Sequence, residues 1–170
     1  MFMEKIVKYL GLPVICSSEI VGSIKRVYFS AAKKRIVGFY VKKRRNFSGR
    51  LLLFEDVQFF GHAGIVIQNM SCLHKIYHSG IARYMPNERL SGLKVYAYHG
   101  DFIGTVKNVY VDFQTGKIDA LEVSSGFYDD IVTGTKQLPM LMKTEIGNEL
   151  IIADRESLEE MRIGQRDEGV

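Results

Sequence analysis

Cysteine occurs only twice in this chain, at Cys16 and Cys72, and two thiols make no disulfide framework. A reducing, cytoplasmic setting is the expectation. Long apolar runs are missing too: nothing approaches the ~20 residues that a membrane-spanning helix needs. The first sixteen residues, MFMEKIVKYLGLPVIC, lack the continuous apolar stretch and small-residue cleavage site of a secretory leader. No glycine-rich phosphate loop, nucleophile elbow or Ser/His/Asp arrangement occurs, so neither an enzyme nor a cofactor is expected. The 46% apolar and 25% charged composition of the 170 residues is that of a soluble globular protein with one or two modest cores.

Acidic residues are missing from one long stretch. Between residues 31 and 54 stand Lys33, Lys34, Arg35, Lys42, Lys43, Arg44, Arg45 and Arg50, and no Asp or Glu. Residues 1–69 hold twelve Lys/Arg against four Asp/Glu, a net of +8; residues 70–170 hold eleven against fifteen, a net of −4. If the turn at 30–35 and the loop at 42–50 are neighbours, the eight cations form one patch. Guanidinium groups suit phosphate oxygens, clustered cations gain from counterion release, and Tyr40 and Phe47 offer stacking faces. The plain alternative is a solvated loop.

What is present is a repeat. GSIKRVYF at 22–29 lies under GTVKNVYV at 104–111, an offset of 82 (104 less 22), and the same offset sets Ile36, Phe39 and Val41 opposite Ile118, Leu121 and Val123. GLPV at 11–14 resembles GLKV at 92–95, and Phe60-Gly61 before an apolar triplet resembles Ile146-Gly147 before another. Val109, Val111 and Phe113 alternate with Asn108, Tyr110 and Asp112, the period of a half-buried strand. Gln114-Thr115-Gly116 then turns the chain into Ile118 and beyond. The expected units are a basic one over 1–68, a linker over 69–90 and a second unit over 91–156. A short helix and a frayed tail fill 157–170, the helix running from a Ser157-x-x-Glu160 capping box to about Arg162. Phe59 and Phe60 are expected to plug the interior of the first unit.

The order of these motifs resembles the PRC-barrel family. The second copy carries it in Leu90, Gly92, Val95, Asp101, Gly104, Val109, Val111, Asp112, Thr115, Gly116, Ile118, Val123, Ile146 and Gly147. The first keeps Leu10, Gly11, Val14, Gly22, Val27, Ile36, Val41, Glu55, Asp56, Val57 and Gly61, but has Ala31-Ala32-Lys33-Lys34 where the second has the Thr-Gly turn. The resemblance implies an all-β chain of two small, strongly bent barrels in tandem with a short C-terminal helix. It implies a docking role without catalysis, as in the reaction-centre H subunit and the ribosome maturation factors.

Other candidate chemistry is weaker. Cys72-x-His74-x-x-x-His78 has metal-like spacing but no second ligand pair, and only a coincidence of folding would bring Cys16 or His62 to it; a structural role is expected. Glu55-Asp56 and Asp129-Asp130 are adjacent acids, which on strands face opposite ways, so no carboxylate pair for catalysis is expected. Tyr28, Tyr40, Tyr96, Tyr98 and Tyr110 read as strand residues, with outward-facing ones available as interface anchors. The functional expectation is a docking or adaptor protein with a protein partner, and RNA, a ribonucleoprotein or another anionic surface met by the basic unit. Self-association through the oppositely charged units and membrane-peripheral assembly are the alternatives.

Overall fold

The computed structural model describes residues 3–43 and 48–163, the side chains of 78–79, 127–129 and 162–163 excepted. Alternating apolar residues build two sheets of one plan. In the first, Pro13–Cys16, Glu19–Ser30, Arg35–Lys43 and Gly49–Leu53 form an antiparallel meander, extended beyond Gly49–Leu53 by Leu73–His74. On its other side Gly64–Ile67 runs parallel to Pro13–Cys16, and Val57–Gly61 is the last strand. The second sheet repeats this order with Lys94–Ala97, Phe102–Asp112, Ile118–Ser124, Lys136–Pro139 and Arg162–Ile163, then Leu150–Ala153 and Glu145–Ile146 on the other side.

The repeat holds to the residue. The long hairpin of the first sheet shifts register between Ile24 and Arg26 and between Tyr28 and Phe29. That of the second shifts between Val106 and Asn108 and between Tyr110 and Val111, each 82 positions on. Such bulges bend a sheet and sharpen its twist. A Cβ added at Gly22 would lie 2.6 Å from the Lys42 carbonyl, and one at Gly104 would collide with the Ser124 carbonyl, so both glycines let bent strands approach closely. Among the described residues the strand pairing leaves both sheets open: the bend of a barrel is there, its closure by hydrogen bonds is not.

The two units share one core. Ile24, Val27, Phe39 and Val41 are fully buried, as are Val109, Leu121, Val123 and Leu138, and all join a single apolar cluster. An exchange of arms seals it. Met3–Lys5, which precedes the first unit, pairs with Phe102–Asp112 of the second. Met85–Pro86, which precedes the second unit, pairs with Tyr28 and Phe29 of the first. Each arm runs into a short helical turn, Ile6–Tyr9 or Asn87–Leu90, that buries Ile6 or Leu90 completely. Asn87 is buried and its side-chain carbonyl accepts the Val27 amide at 2.8 Å.

The segment 69–90, expected as a linker, is therefore bound into the first sheet at both ends, by Leu73–His74 and by Met85–Pro86. The C-terminal helix is Arg155–Glu159, two residues earlier than the capping box suggests. Its cap is Asp154, which accepts the Ser157 amide, while the Ser157 hydroxyl is buried against Thr144. Residues 165–170, expected to fray, lie outside the described residues.

Candidate docking site

The described cations of the basic cluster stand at two ends of one strand. Lys33, Lys34 and Arg35 lie at the turn end of the strand Arg35–Lys43, and Lys42 and Lys43 at its other end, about 23 Å away along an extended strand. The turn end faces the second unit. Lys34 Nζ donates to the carbonyls of Leu141 at 2.9 Å and Met142 at 2.7 Å. Arg35 donates to the Thr115 carbonyl at 2.8 Å and stands over the Phe54 ring. Burial lowers the Lys34 pKa although the charges of Asp154 and Glu145 oppose it. At the far end Arg50, which pairs across from Val41, joins Lys42 and Lys43; Arg44, Arg45 and Phe47 lie outside the described residues.

The metal-like triad is not assembled. The Cys72 thiol points at Asn69, His74 Nε2 is 2.8 Å from Asp56 Oδ2, and the His78 side chain lies outside the described set. Asp56 thus meets a histidine. Asp129-Asp130 stands on the helix Phe127–Thr133, not on a strand. Asp130 accepts Lys107 Nζ at 2.8 Å and the Ser124 hydroxyl. Burial pushes its carboxyl up, but these donors and the Lys107 charge outweigh it and hold the pKa below the ordinary value.

The feature the sequence reading missed is a groove of about 710 Å³ where the units meet. Its floor is aromatic. Phe60 sits 5.3 Å from Phe54, 5.5 Å from Phe113 and 5.9 Å from Phe39, measured between ring centroids. Phe113 in turn stacks on Tyr9 at 3.4 Å, which the arm exchange brings across. Phe59, the neighbour of Phe60 on the strand Val57–Gly61, points the other way and is 63% exposed; only Phe60 packs inward, as alternation along a strand requires.

The rim is acidic. Glu4, Glu55 and Asp112 line it, and none of the described residues lining it is Lys or Arg. Glu4 accepts the Tyr9 hydroxyl at 2.5 Å, and burial together with that acceptor and its charge pushes the Tyr9 pKa well above the ordinary phenol value. The Thr115 hydroxyl, with the amides of Gln114 and Thr115, keeps the Asp112 carboxyl below its usual value against the opposing effect of burial. Tyr9 and Phe113 lie on different units and carry no mutual signal in the sequence. The run Phe54, Phe59, Phe60 carried one in its aromatic density.

Against known proteins, no curated protein matches the chain. The family model of the PRC-barrel domain matches residues 85–159, from the first residue of the arm Met85–Pro86 to the last of the helix Arg155–Glu159. The match does not reach the first unit, whose kinship rests on the shared strand order and the shared bulges. The stretch 85–159 of this chain is thus similar to the PRC-barrel domain family.

Proposed function

We propose that this chain is a non-catalytic docking protein that receives a protein partner in the aromatic groove between its two units. The observation that carries the reading is Phe59. A large apolar side chain, 63% exposed, stands beside an aromatic floor and on a terminal strand of its sheet. Aromatic residues in a concave site are the usual anchors of protein interfaces, and an unpaired strand edge invites a further strand. The family of the second unit is one of interaction domains, which agrees with this use. A photo-crosslinking amino acid placed at Phe59 in the native host tests it, with Ile20, exposed at 49% on the strand Glu19–Ser30, as the control position. A discrete protein adduct at 59 and none at 20, unchanged by nuclease, is the expected result; equal labelling at both overturns it.

A second reading keeps the anionic partner. Lys42, Lys43 and Arg50 converge at one end of the first sheet, and Arg44 and Arg45 follow in sequence. That end, away from the junction of the units, is where the chain would meet RNA or another polyanion.

A further inference from the structure

We propose that the groove receives the ammonium group of a lysine, carried on an extended segment of the partner protein. The inference rests on the docking reading and names what is docked.

The argument comes from comparing the groove with its counterpart in the other unit. Phe39 pairs with Leu52 and, 82 positions on, Leu121 pairs with Leu138. Phe60 pairs with Ile65 and Ile146 pairs with Ile151. Both 52 with 138 and 60 with 146 differ by 86, so the intervening chain corresponds without gap. Phe54, Glu55 and Asp56 answer to Met140, Leu141 and Met142, and Phe59 answers to Glu145. Across the junction, Lys34 answers to Gly116.

On the side of the second unit the counterpart site is filled from within the chain. Lys34 reaches over from the first unit, its ammonium held by the carbonyls of Leu141 and Met142 and facing the charges of Asp154 and Glu145. On the side of the first unit the residue that would reach over is Gly116. Gly116 has no side chain to send across, and one starting there would press on the Phe54 ring at 3.0–3.2 Å, so the chain does not fill this side as Lys34 fills the other.

What remains on that side suits a cation better than its counterpart does. Glu55 stands where Leu141 stands, and with Glu4 and Asp112 it makes an acidic rim; Asp56, the counterpart of Met142, pairs with His74 outside the groove lining. Phe60, at the centre of the aromatic floor, adds the attraction of an aromatic quadrupole for an ammonium, while Phe54 already carries the guanidinium of Arg35. His62 and His74, the titratable neighbours, lie against Glu4 and Asp56 respectively. The segment is extended because the groove borders the terminal strand Val57–Gly61, whose outer edge can pair with an added strand.

The test titrates the full ¹⁵N-labelled chain with two synthetic peptides, acetyl-Thr-Val-Thr-Lys-Val-Thr-amide and the same peptide with norleucine for lysine. The lysine peptide should move amide signals at 55–62 and 113–116, and norleucine should weaken binding about tenfold, as loss of a desolvated cation over aromatic faces does. Glu55→Lys should weaken the lysine peptide by a similar factor, with an unchanged melting curve showing that the fold is intact. Equal affinity for the two peptides overturns the lysine assignment while leaving docking at Phe59 standing, and so does signal movement away from the groove. Binding of neither peptide overturns it as well, since the crosslink at Phe59 tests docking independently of charge.

Discussion

Lys34 and Gly116 stand at equivalent points of two facing turns, and each carbonyl receives the amide of the isoleucine two residues beyond the other. Ile118 donates to Lys34 at 2.9 Å and Ile36 donates to Gly116 at 2.7 Å, with Arg35 bridged to Lys117 between them. Both residues have positive φ, 49° at Lys34 and 74° at Gly116. The two units are thereby related as the subunits of a symmetric dimer are, within one chain, and a substitution at one turn is felt by both.

Gly116→Ala should destabilise the protein by about 1–3 kcal/mol, because a side chain at this φ is strained and its Cβ would press on Phe54. Lys34→Met keeps the stem but leaves the Leu141 and Met142 carbonyls without the ammonium, and should cost about 1–2 kcal/mol. Denaturant unfolding followed by circular dichroism measures both; a loss below about 0.3 kcal/mol for either would show that the turns do not tie the units together.

The arm exchange makes a second prediction. Deleting residues 1–9 should lower hydrogen-exchange protection in Phe102–Asp112 more than in Glu19–Ser30, although the deletion adjoins the first unit in sequence. Asn87→Ala should act the other way round. It strands the buried Val27 amide, costs about 1–3 kcal/mol, and loosens the first sheet from a position in the second unit. Loss of protection in the unit next in sequence would contradict the exchange.

Most of the strands are legible in the sequence, because apolar residues alternate with polar ones at Val109, Val111 and Phe113 and the same apolar positions recur 82 residues earlier; the bulges that shift the register are not. The all-β class and the long hairpins follow from it. The arms were not legible. Met85–Pro86 is two residues of strand whose partner is chosen by the core of the other unit, not by local pattern. The groove followed the arms into obscurity, since Tyr9 meets Phe113 only through the exchange. The basic cluster is visible in the sequence as residues, but composition does not register that Lys33–Arg35 and Lys42–Lys43 stand at opposite ends of one strand. The helix Phe127–Thr133 was missed for the same reason that its acids were placed on a strand: one short amphipathic turn between two strands has too few residues to show a period.

Two half-buried carboxylates whose pKa values shift in opposite directions give a pH test. Burial raises the Asp119 pKa, the Asp112 charge adds to this, and Lys117 only partly offsets it; one of its carboxylate oxygens is buried without a hydrogen-bond partner. The folded state then holds the Asp119 proton more tightly than the unfolded state does. Its stabilising contribution is present below the ordinary aspartate pKa of 3.8 and is lost as pH rises through the raised value. Asp119→Asn should therefore stabilise the protein by about 1 kcal/mol at pH 7 and show no gain at pH 3. Asp130, whose pKa is lowered, has the reverse sign: its contribution is present above 3.8 and is lost as pH falls through the depressed value. Asp130→Asn should cost about 1 kcal/mol at pH 7, and the cost should fade in acid. Thermal melts of the two variants between pH 3 and pH 7 check the opposed slopes.

The divided basic cluster gives the last prediction, and it separates two roles that the sequence runs together. Lys42 and Lys43 stand at the open end of the hairpin, away from the junction, with Arg44 and Arg45 next in sequence, while Lys34 and Arg35 bond to carbonyls of the second unit. Replacing the first four with Ser should change stability by no more than about 0.5 kcal/mol each, the usual effect at a surface. The same change should shorten retention on a heparin or RNA column, and each lost phosphate contact should reduce the salt-dependence slope by about 0.7–0.9. Lys34→Met with Arg35→Met should do the opposite, lowering the melting temperature and leaving the salt slope within one contact of the parent, because their donors are already committed within the chain. If both sets changed retention equally, the cations would act as one field across the first unit, and the strand-length separation would have no functional meaning. If neither changed retention, the far end would be a solvated face, and the aromatic groove would stand as the docking site without an anionic second partner.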